Sequence, residues 1–298
     1  MSYKFKVFIA VLVSIKTLNF YAQKDSISPW KFKSLYSLNG TQSSFVNWNA
    51  GGRNNISLLA SISGGLYYTH EHIKWSSDLN MALGGVRYLD KNPGLILQKT
   101  DDRIDFASTI GHKFTKYLFT SFIVGFKTQM VNGYAYPNDS VRVSKFMAPG
   151  YLNLGLGVDF IKSDNFSIFT SPIAAKSTFV LDSLLSSAGA FGVEKGKRYR
   201  QEFGAYVKLK FNHNLAKNIE MKSKLELFSN YLHNPQNIDI NAELQLLFRI
   251  NAFISTTVQW NLIYDDDVNI RDAKGNIGPR TQFKSVIGVG LSYKLESK

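Results

Sequence analysis

The chain alternates apolar and polar residues with a period of two, in about twelve segments of ten or more residues. From Ile238 to Ile250 the even positions are Ile238, Ile240, Ala242, Leu244, Leu246, Phe248 and Ile250. The odd positions are Asp239, Asn241, Glu243, Gln245, Leu247 and Arg249. Successive side chains of a strand point to opposite faces, so such a segment has one apolar face and one hydrated, charged face. The pattern predicts strands near residues 32–45, 57–68, 72–87, 101–114, 117–131, 147–161, 166–179, 201–213, 218–232, 237–250, 253–265 and 282–295. Twelve is an even number, as single-chain outer-membrane barrels require. Gly40 interrupts the first strand, and Pro172 in the seventh predicts a bulge or a local break in pairing.

The connections alternate short and long. The short ones fall at residues 69–71, 115–116, 162–165, 214–217 and 251–252. The long ones fall at 46–56, 88–100, 132–146, 180–200 and 266–281, and only 233–236 is brief where a long one is expected. Short turns on the periplasmic side and long loops outside are the habit of outer-membrane barrels. Period and loop length therefore predict one topology, an all-β transmembrane antiparallel barrel of about twelve strands without a second domain.

The N-terminus agrees with export. Lys4 and Lys6 precede an apolar core from Val7 to Ile15, with an exit near Ala22 or Gln23. This reads as a signal peptide over residues 1–22, followed by a barrel over 23–298 in a bacterial outer membrane. No apolar run approaches the roughly 18–20 residues that a spanning helix needs. The absence of Cys removes both a lipobox and a disulfide framework. Loss of Lys4, Lys6 and Lys16 with the presequence takes three charges from the net +13 and leaves +10. Nucleic acid is not a partner to expect of an exported barrel. Anionic lipopolysaccharide at the rim, or an anion pathway, accounts for a basic balance.

Chemistry assigns the faces. On 103–114 the outward set is Ile104, Phe106, Ser108, Ile110, His112 and Phe114. On 218–232 the inward set is Glu220, Lys222, Lys224, Glu226, Phe228 and Asn230. A Lys at the bilayer midplane would cost about 2–4 kcal/mol, so Lys222 and Lys224 must face the lumen. A soluble β-sandwich also alternates, but it rarely sustains strands this long. Trp75, Tyr151, Tyr231, Trp260 and Tyr293 are candidates for interfacial girdles. The last strand resembles the C-terminal assembly signal of outer-membrane proteins, with Gly290 followed by Leu291 and Tyr293. It departs in ending on Leu295 and trailing Glu296-Ser297-Lys298. Lipid, lipopolysaccharide and the barrel-assembly machinery are the partners this implies, and other envelope proteins are candidates to dock on the loops.

A set of local sequences falls in one order: Asn47-Trp48-Asn49-Ala50-Gly51-Gly52, Lys99-Thr100-Asp101-Asp102, Lys127-Thr128-Gln129, Ser144-Lys145-Phe146-Met147-Ala148-Pro149, Leu227-Phe228-Ser229-Asn230-Tyr231 and Ile263-Tyr264-Asp265-Asp266-Asp267. Together they resemble an outer-membrane β-barrel family of Bacteroidota catalogued as a domain of unknown function. The resemblance implies the barrel and its compartment and carries no activity with it.

Three groups of residues are candidates for chemistry. Asp101 and Asp105 share a strand face with Arg103, and Asp265 and Asp267 share another; these four acids form a candidate acidic rim. Converging carboxylates would suit Ca²⁺, which takes six to eight oxygen ligands; the alternative is pairing with Arg103, Lys127 or Lys284. The second group is lumenal and basic: Lys127, Lys208, Lys210, Lys222, Lys224, Arg249 and Lys284. With Lys74, Arg103, Lys113 and Lys294 they outnumber the inward acids Asp78, Asp105, Glu220, Glu226, Asp239 and Glu243. Pore-lining Lys and Arg favour anions, whereas interleaved signs also suit a lumen closed by ion pairs. The third is His233 with Ser229, a trace of a rim hydrolase. Four residues of strand separate them by about 13 Å, too far for a nucleophile and its base. Asn47-Trp48 with Gly51-Gly52 reads as a tight turn. The expectation is a non-enzymatic, narrow passive channel for small solutes, anions favoured, with a closed barrel in a structural, assembly or docking role as the alternative.

Overall fold

The computed structural model describes residues 28–44, 54–89, 97–135, 140–271 and 276–297. The expected signal peptide and the Asn47–Gly52 turn lie outside them. Twelve antiparallel strands close into one barrel: β1 (Trp30–Ser43), β2 (Asn55–His70), β3 (Ile73–Tyr88), β4 (Gln98–Lys113), β5 (Leu118–Thr128), β6 (Gly150–Ser163), β7 (Phe166–Phe179), β8 (Tyr199–Ala216), β9 (Ile219–Asn230), β10 (Asp239–Arg249), β11 (Ile254–Tyr264) and β12 (Gln282–Glu296). Each strand pairs with its neighbours in sequence, and β12 returns to β1.

The alternation builds the two surfaces. Outward positions expose Phe32, Leu38, Leu58, Leu79, Ile110, Phe122, Leu156, Phe203 and Ile287 around the wall. Inward positions carry most of the charge. An apolar belt this continuous is far larger than the patches that water-soluble monomers leave exposed, so it is a surface for lipid. Among the described residues no helix is long and apolar enough to cross a membrane; the strands cross it.

Short turns are fixed locally. Asn251 Oδ1 accepts from the N–H groups of Phe253 and Ile254, and Thr115 Oγ1 from Leu118 N–H. At this end the rings of Trp30, Tyr68 and Trp75 pack together, with centroids 4.8 and 5.6 Å apart. Phe160, Phe166 and Phe211 continue the girdle. Tyr151 does not belong to a girdle: it pairs with Lys127 in register and points into the lumen.

β7 carries the bulge that Pro172 predicts. Its registers with β6 and with β8 both slip by one residue between Thr170 and Ala174. Ser171 Oγ lies 2.8 Å from Leu156 O and 2.7 Å from Ile173 O, giving carbonyls at the break a donor that Pro172 cannot supply.

The ladders between neighbouring strands have ten to sixteen register pairs. The ladder between β1 and β12 has seven, all in the periplasmic half.

Candidate functional site

The lumen is built of two dissimilar arcs. From β4 to β10 it is filled. Inward Ile123, Phe169, Ala174, Tyr206 and Phe228 form a buried apolar cluster inside the barrel. Around it lie three layers of ion pairs that reach across the lumen.

The outer layer centres on Lys176, whose Nζ donates to Asp239 at 2.5 Å and Asp265 at 2.9 Å and lies 3.7 Å from Glu202. Arg200 joins it, 2.9 Å from Glu202 and 3.1 Å from Asp267. In the middle layer Lys127 donates to Glu226, which also accepts from Tyr206 Oη at 2.9 Å and Asn241 Nδ2 at 2.8 Å. Lys224 bridges Asp105 at 2.7 Å and Glu243 at 3.0 Å. In the lower layer Asp78 accepts from Lys210 at 2.6 Å and from Tyr67 Oη at 2.8 Å. In each layer opposite charges face one another, which offsets the cost of taking them out of water.

From β11 through β12 and β1 to β2 the lining at mid-height is mostly small and neutral, with Lys284 above it and Lys33, Lys294 and Glu296 toward the periplasmic end. Ser255, Thr257, Gln259, Asn261, Val286, Gly288, Asn39, Ser37, Ser61 and Ser63 face inward there, following the register. Two cavities lie on this side. A cavity of about 280 Å³ lies in the outer half, against Asn39, Leu59, Asp101, Lys284, Val286 and Gly288. Below it a second, of about 20 Å³, is bounded by Arg103, Gln245, Thr257 and Gln259. That is room for about one water. Arg103 Nη2 donates to Gln259 Oε1 at 3.1 Å across this point and makes the constriction.

The acidic and basic residues picked out by the sequence project into the lumen or its two mouths, but not as one group. Asp101 pairs with Lys284 at 2.9 Å, Asp105 with Lys224, Asp265 with Lys176 and Asp267 with Arg200. Asp105 lies at mid-height rather than on the rim. Among the described residues no three His, Cys, Asp or Glu side chains form a group able to hold a metal ion. Of the lumenal cations, Lys127, Lys210, Lys224 and Lys284 are engaged as above. Arg249 and Lys222 share Glu220 at 2.6 and 3.4 Å near the periplasmic mouth. Lys208 is buried, 4% exposed, with no carboxylate at ion-pair distance among the described residues. Ser229 Oγ donates to Pro235 O at 2.6 Å and His233 faces Asp267 at 4.0 Å, so these two do not form a nucleophile and base.

Sequence reasoning missed Lys176, the hub of the outer layer. The bulge explains this: on β7 the inward parity is odd up to Phe169 and even from Ala174 onward. Arg200 and Glu202 share the parity of Lys208 and Lys210, a signal that was available.

The motif residues build an outer cap. Asp102 accepts from Met130 N–H at 2.7 Å and Val131 N–H at 3.0 Å, and Lys99 donates to Asp102, Gln129 and Ser144. Thr128 Oγ1 joins Pro149 O and Met147 N–H. Over this sits a small core of Ala148, Val180, Leu185 and Val193. Asp182 caps the short helix Ser183–Ser187 and pairs with Arg142. Burial pushes the Asp182 carboxyl up, but the Leu185 N–H and the Arg142 guanidinium outweigh it and hold it below the usual carboxylate range.

A closed twelve-stranded barrel with a lipid-facing apolar belt and a charged interior is an outer-membrane β-barrel, and the bacterial outer membrane is its place. A family profile described as "Protein of unknown function (DUF3078)" matches residues 41–134. No curated protein matches the sequence. Among solved structures the chain is similar to an outer membrane channel from Pseudomonas putida F1, with TM-score 0.40, 10% identity, and 94% of this chain and 100% of that one covered. It is also similar to the NanC porin, with TM-score 0.39, 8% identity and coverages of 86% and 98%. A third is the translocator domain of the autotransporter NalP from Neisseria meningitidis, with TM-score 0.34, 11% identity and 97% of each chain covered.

Proposed function

We propose that this barrel is a narrow passive passage for small solutes, running down the neutral arc rather than the centre of the lumen. The observation that carries the reading is the distribution of space. The filled arc is plugged by an apolar cluster and ion pairs, while two cavities follow β12, β1 and β2 to the Arg103–Gln259 constriction. Lys284 and Arg103 flank that route, and Lys222 and Arg249 stand at its periplasmic end. These four cations support a preference for anions, moderated because each has a carboxylate partner. The expected filter is thus Arg103 and Lys284, not the lysines of the filled arc.

The second reading is a closed barrel with a structural or docking role, its outer cap over residues 129–135, 140–149 and 180–198 meeting other envelope proteins. The cross-lumen ion pairs favour it. Single-channel recording of the refolded protein in a planar bilayer under a salt gradient separates the two. A passage gives small discrete steps with an anion-selective reversal potential, and Arg103→Ala enlarges them severalfold. Silence from a barrel whose heat-shifted gel mobility shows it folded, in both forms, overturns the passage.

A further inference from the structure

The wall itself is split. β1 and β12 pair from Lys33↔Glu296 to Asn39↔Gly290, yet β1 continues to Ser43 and β12 starts at Gln282. Continuing the register would set Thr41 against Gly288 and Ser43 against Val286, and no such pairing exists among the described residues. The four residues of β1 beyond Asn39 span about 13 Å, roughly half of the ≈25 Å apolar band of an outer-membrane barrel. Both strands keep their other partners there, β2 and β11. The gap is therefore a parting between two intact hairpins, not a frayed end.

The 280 Å³ cavity occupies this parting. Its walls include Gly40, Ser285 and Ile287 from the lipid-facing positions and Asn39, Val286 and Gly288 from the lumenal ones. The cavity thus lies between the unpaired edges of the two strands and touches residues of both faces. Its lining changes along its depth. Ile287, 67% exposed, stands on the lipid side, and Leu59 and Val286 are at lumenal positions. Thr41, Ser57 and the Asp101–Lys284 pair close the lumenal end. That ion pair is neutral as a unit and offers hydrogen bonds without net charge. Backbone edges open to lipid are not tolerated in the hydrocarbon region, so the parting calls for an occupant that is polar at one end and apolar at the other.

We propose that the outer half of the β1–β12 seam is a lateral port, and that its cavity binds a small amphiphile with an uncharged polar head, exchanged with the outer leaflet. The volume is at the lower end of ligand pockets, which fixes the guest as small. The proposal shares a cavity with the passage reading but does not need ions to flow.

The chain has no Cys, so the double variant Thr41→Cys/Gly288→Cys carries a single possible disulfide that sews the seam. The probe is N-phenyl-1-naphthylamine, small and uncharged, titrated by fluorescence against the barrel in lipid nanodiscs with empty nanodiscs as baseline. The expected result is saturable binding above baseline, at least tenfold weaker in the oxidised variant and restored by reduction. Leu59→Trp, which fills the cavity without a disulfide, should lose binding to the same extent. Binding equal to baseline in the unmodified chain, or unchanged by both variants, overturns the port. Disulfide-linked dimers of the single variant Gln42→Cys, at a lipid-facing position of the seam, would identify a second copy as the occupant and also overturn it. Conductance recorded on the sewn barrel keeps the readings apart: steps that persist while probe binding falls support port and passage separately. Silence in every form removes the passage and leaves the port to the titration.

Discussion

The arc from β4 to β10 and the arc from β11 through β12 and β1 to β2 enclose one lumen with different materials. The first is an interior in the sense of a soluble protein, with aromatic rings, buried lysines and a carboxylate for nearly every cation. The second presents serines, threonines, asparagines and glycines that leave space beside them. Both arcs alternate equally well and both face lipid with apolar side chains. Period alone therefore sets the wall, and side-chain volume and charge decide which part of the wall is also a plug. A barrel of this strand number need not be either filled or open; it can be filled on one side.

The largest expected effect breaks the filled arc. Glu226→Leu leaves Lys127 inside the barrel without its carboxylate and strands Tyr206 and Asn241. Loss of one partner of a buried pair costs about 3–5 kcal/mol, read as a lower urea midpoint by heat-shifted gel mobility. Conductance should hardly change. A large rise would mean that the filled arc is itself the gate, and the contrast between arcs would fall.

A smaller effect sharpens the contrast from the other side. Gln259→Ala removes the hydrogen bond from Arg103 and costs about 1 kcal/mol, but it should enlarge single-channel steps. Equal stability losses for Glu226→Leu and Gln259→Ala would show that the arcs are not distinct.

The smallest is confined to the cap. The native Asp182 carboxyl has a lowered pKa, so its contribution is complete above the unfolded value near 4 and is lost as pH falls through the native one. Its cap is worth about 1 kcal/mol. Pepsin should cut near Leu184 and Leu185 increasingly below pH 4, with the barrel intact. Asp182→Asn should flatten that pH dependence.

Much of the architecture was legible because the two-residue period is unforgiving. All twelve strands lie where alternation puts them, and Lys222 and Lys224 face inward as the cost of the other choice demands. Pro172 announced its bulge. What the bulge did to parity hid Lys176, since one extra residue moves every later side chain to the opposite face. The acidic rim shows a different limit. Parity located Asp101 and Asp265 on inward faces, but strands β4 and β11 stand far apart around the barrel. Which cation each acid meets depends on tilt and width, quantities that no local pattern encodes. The split seam was invisible for the same reason, because β1 and β12 meet only through closure of the whole chain. Motifs such as Lys99–Asp102 and Ser144–Pro149 were visible as motifs and turned out to brace the outer cap.

The struts across the lumen also order events in time. Lys224 and Asp105 are 119 residues apart in sequence, Lys210 and Asp78 132, and Lys284 and Asp101 183. None of these pairs can form within a growing hairpin, so the sheet must curl before its charges find one another. Contacts of such range slow folding, because chain entropy is lost before they reward it. Until then the inner face is a wet trough of lysines and carboxylates. Closure is therefore the step at which water leaves the filled arc, and most of the rigidity of the finished wall arrives late and together.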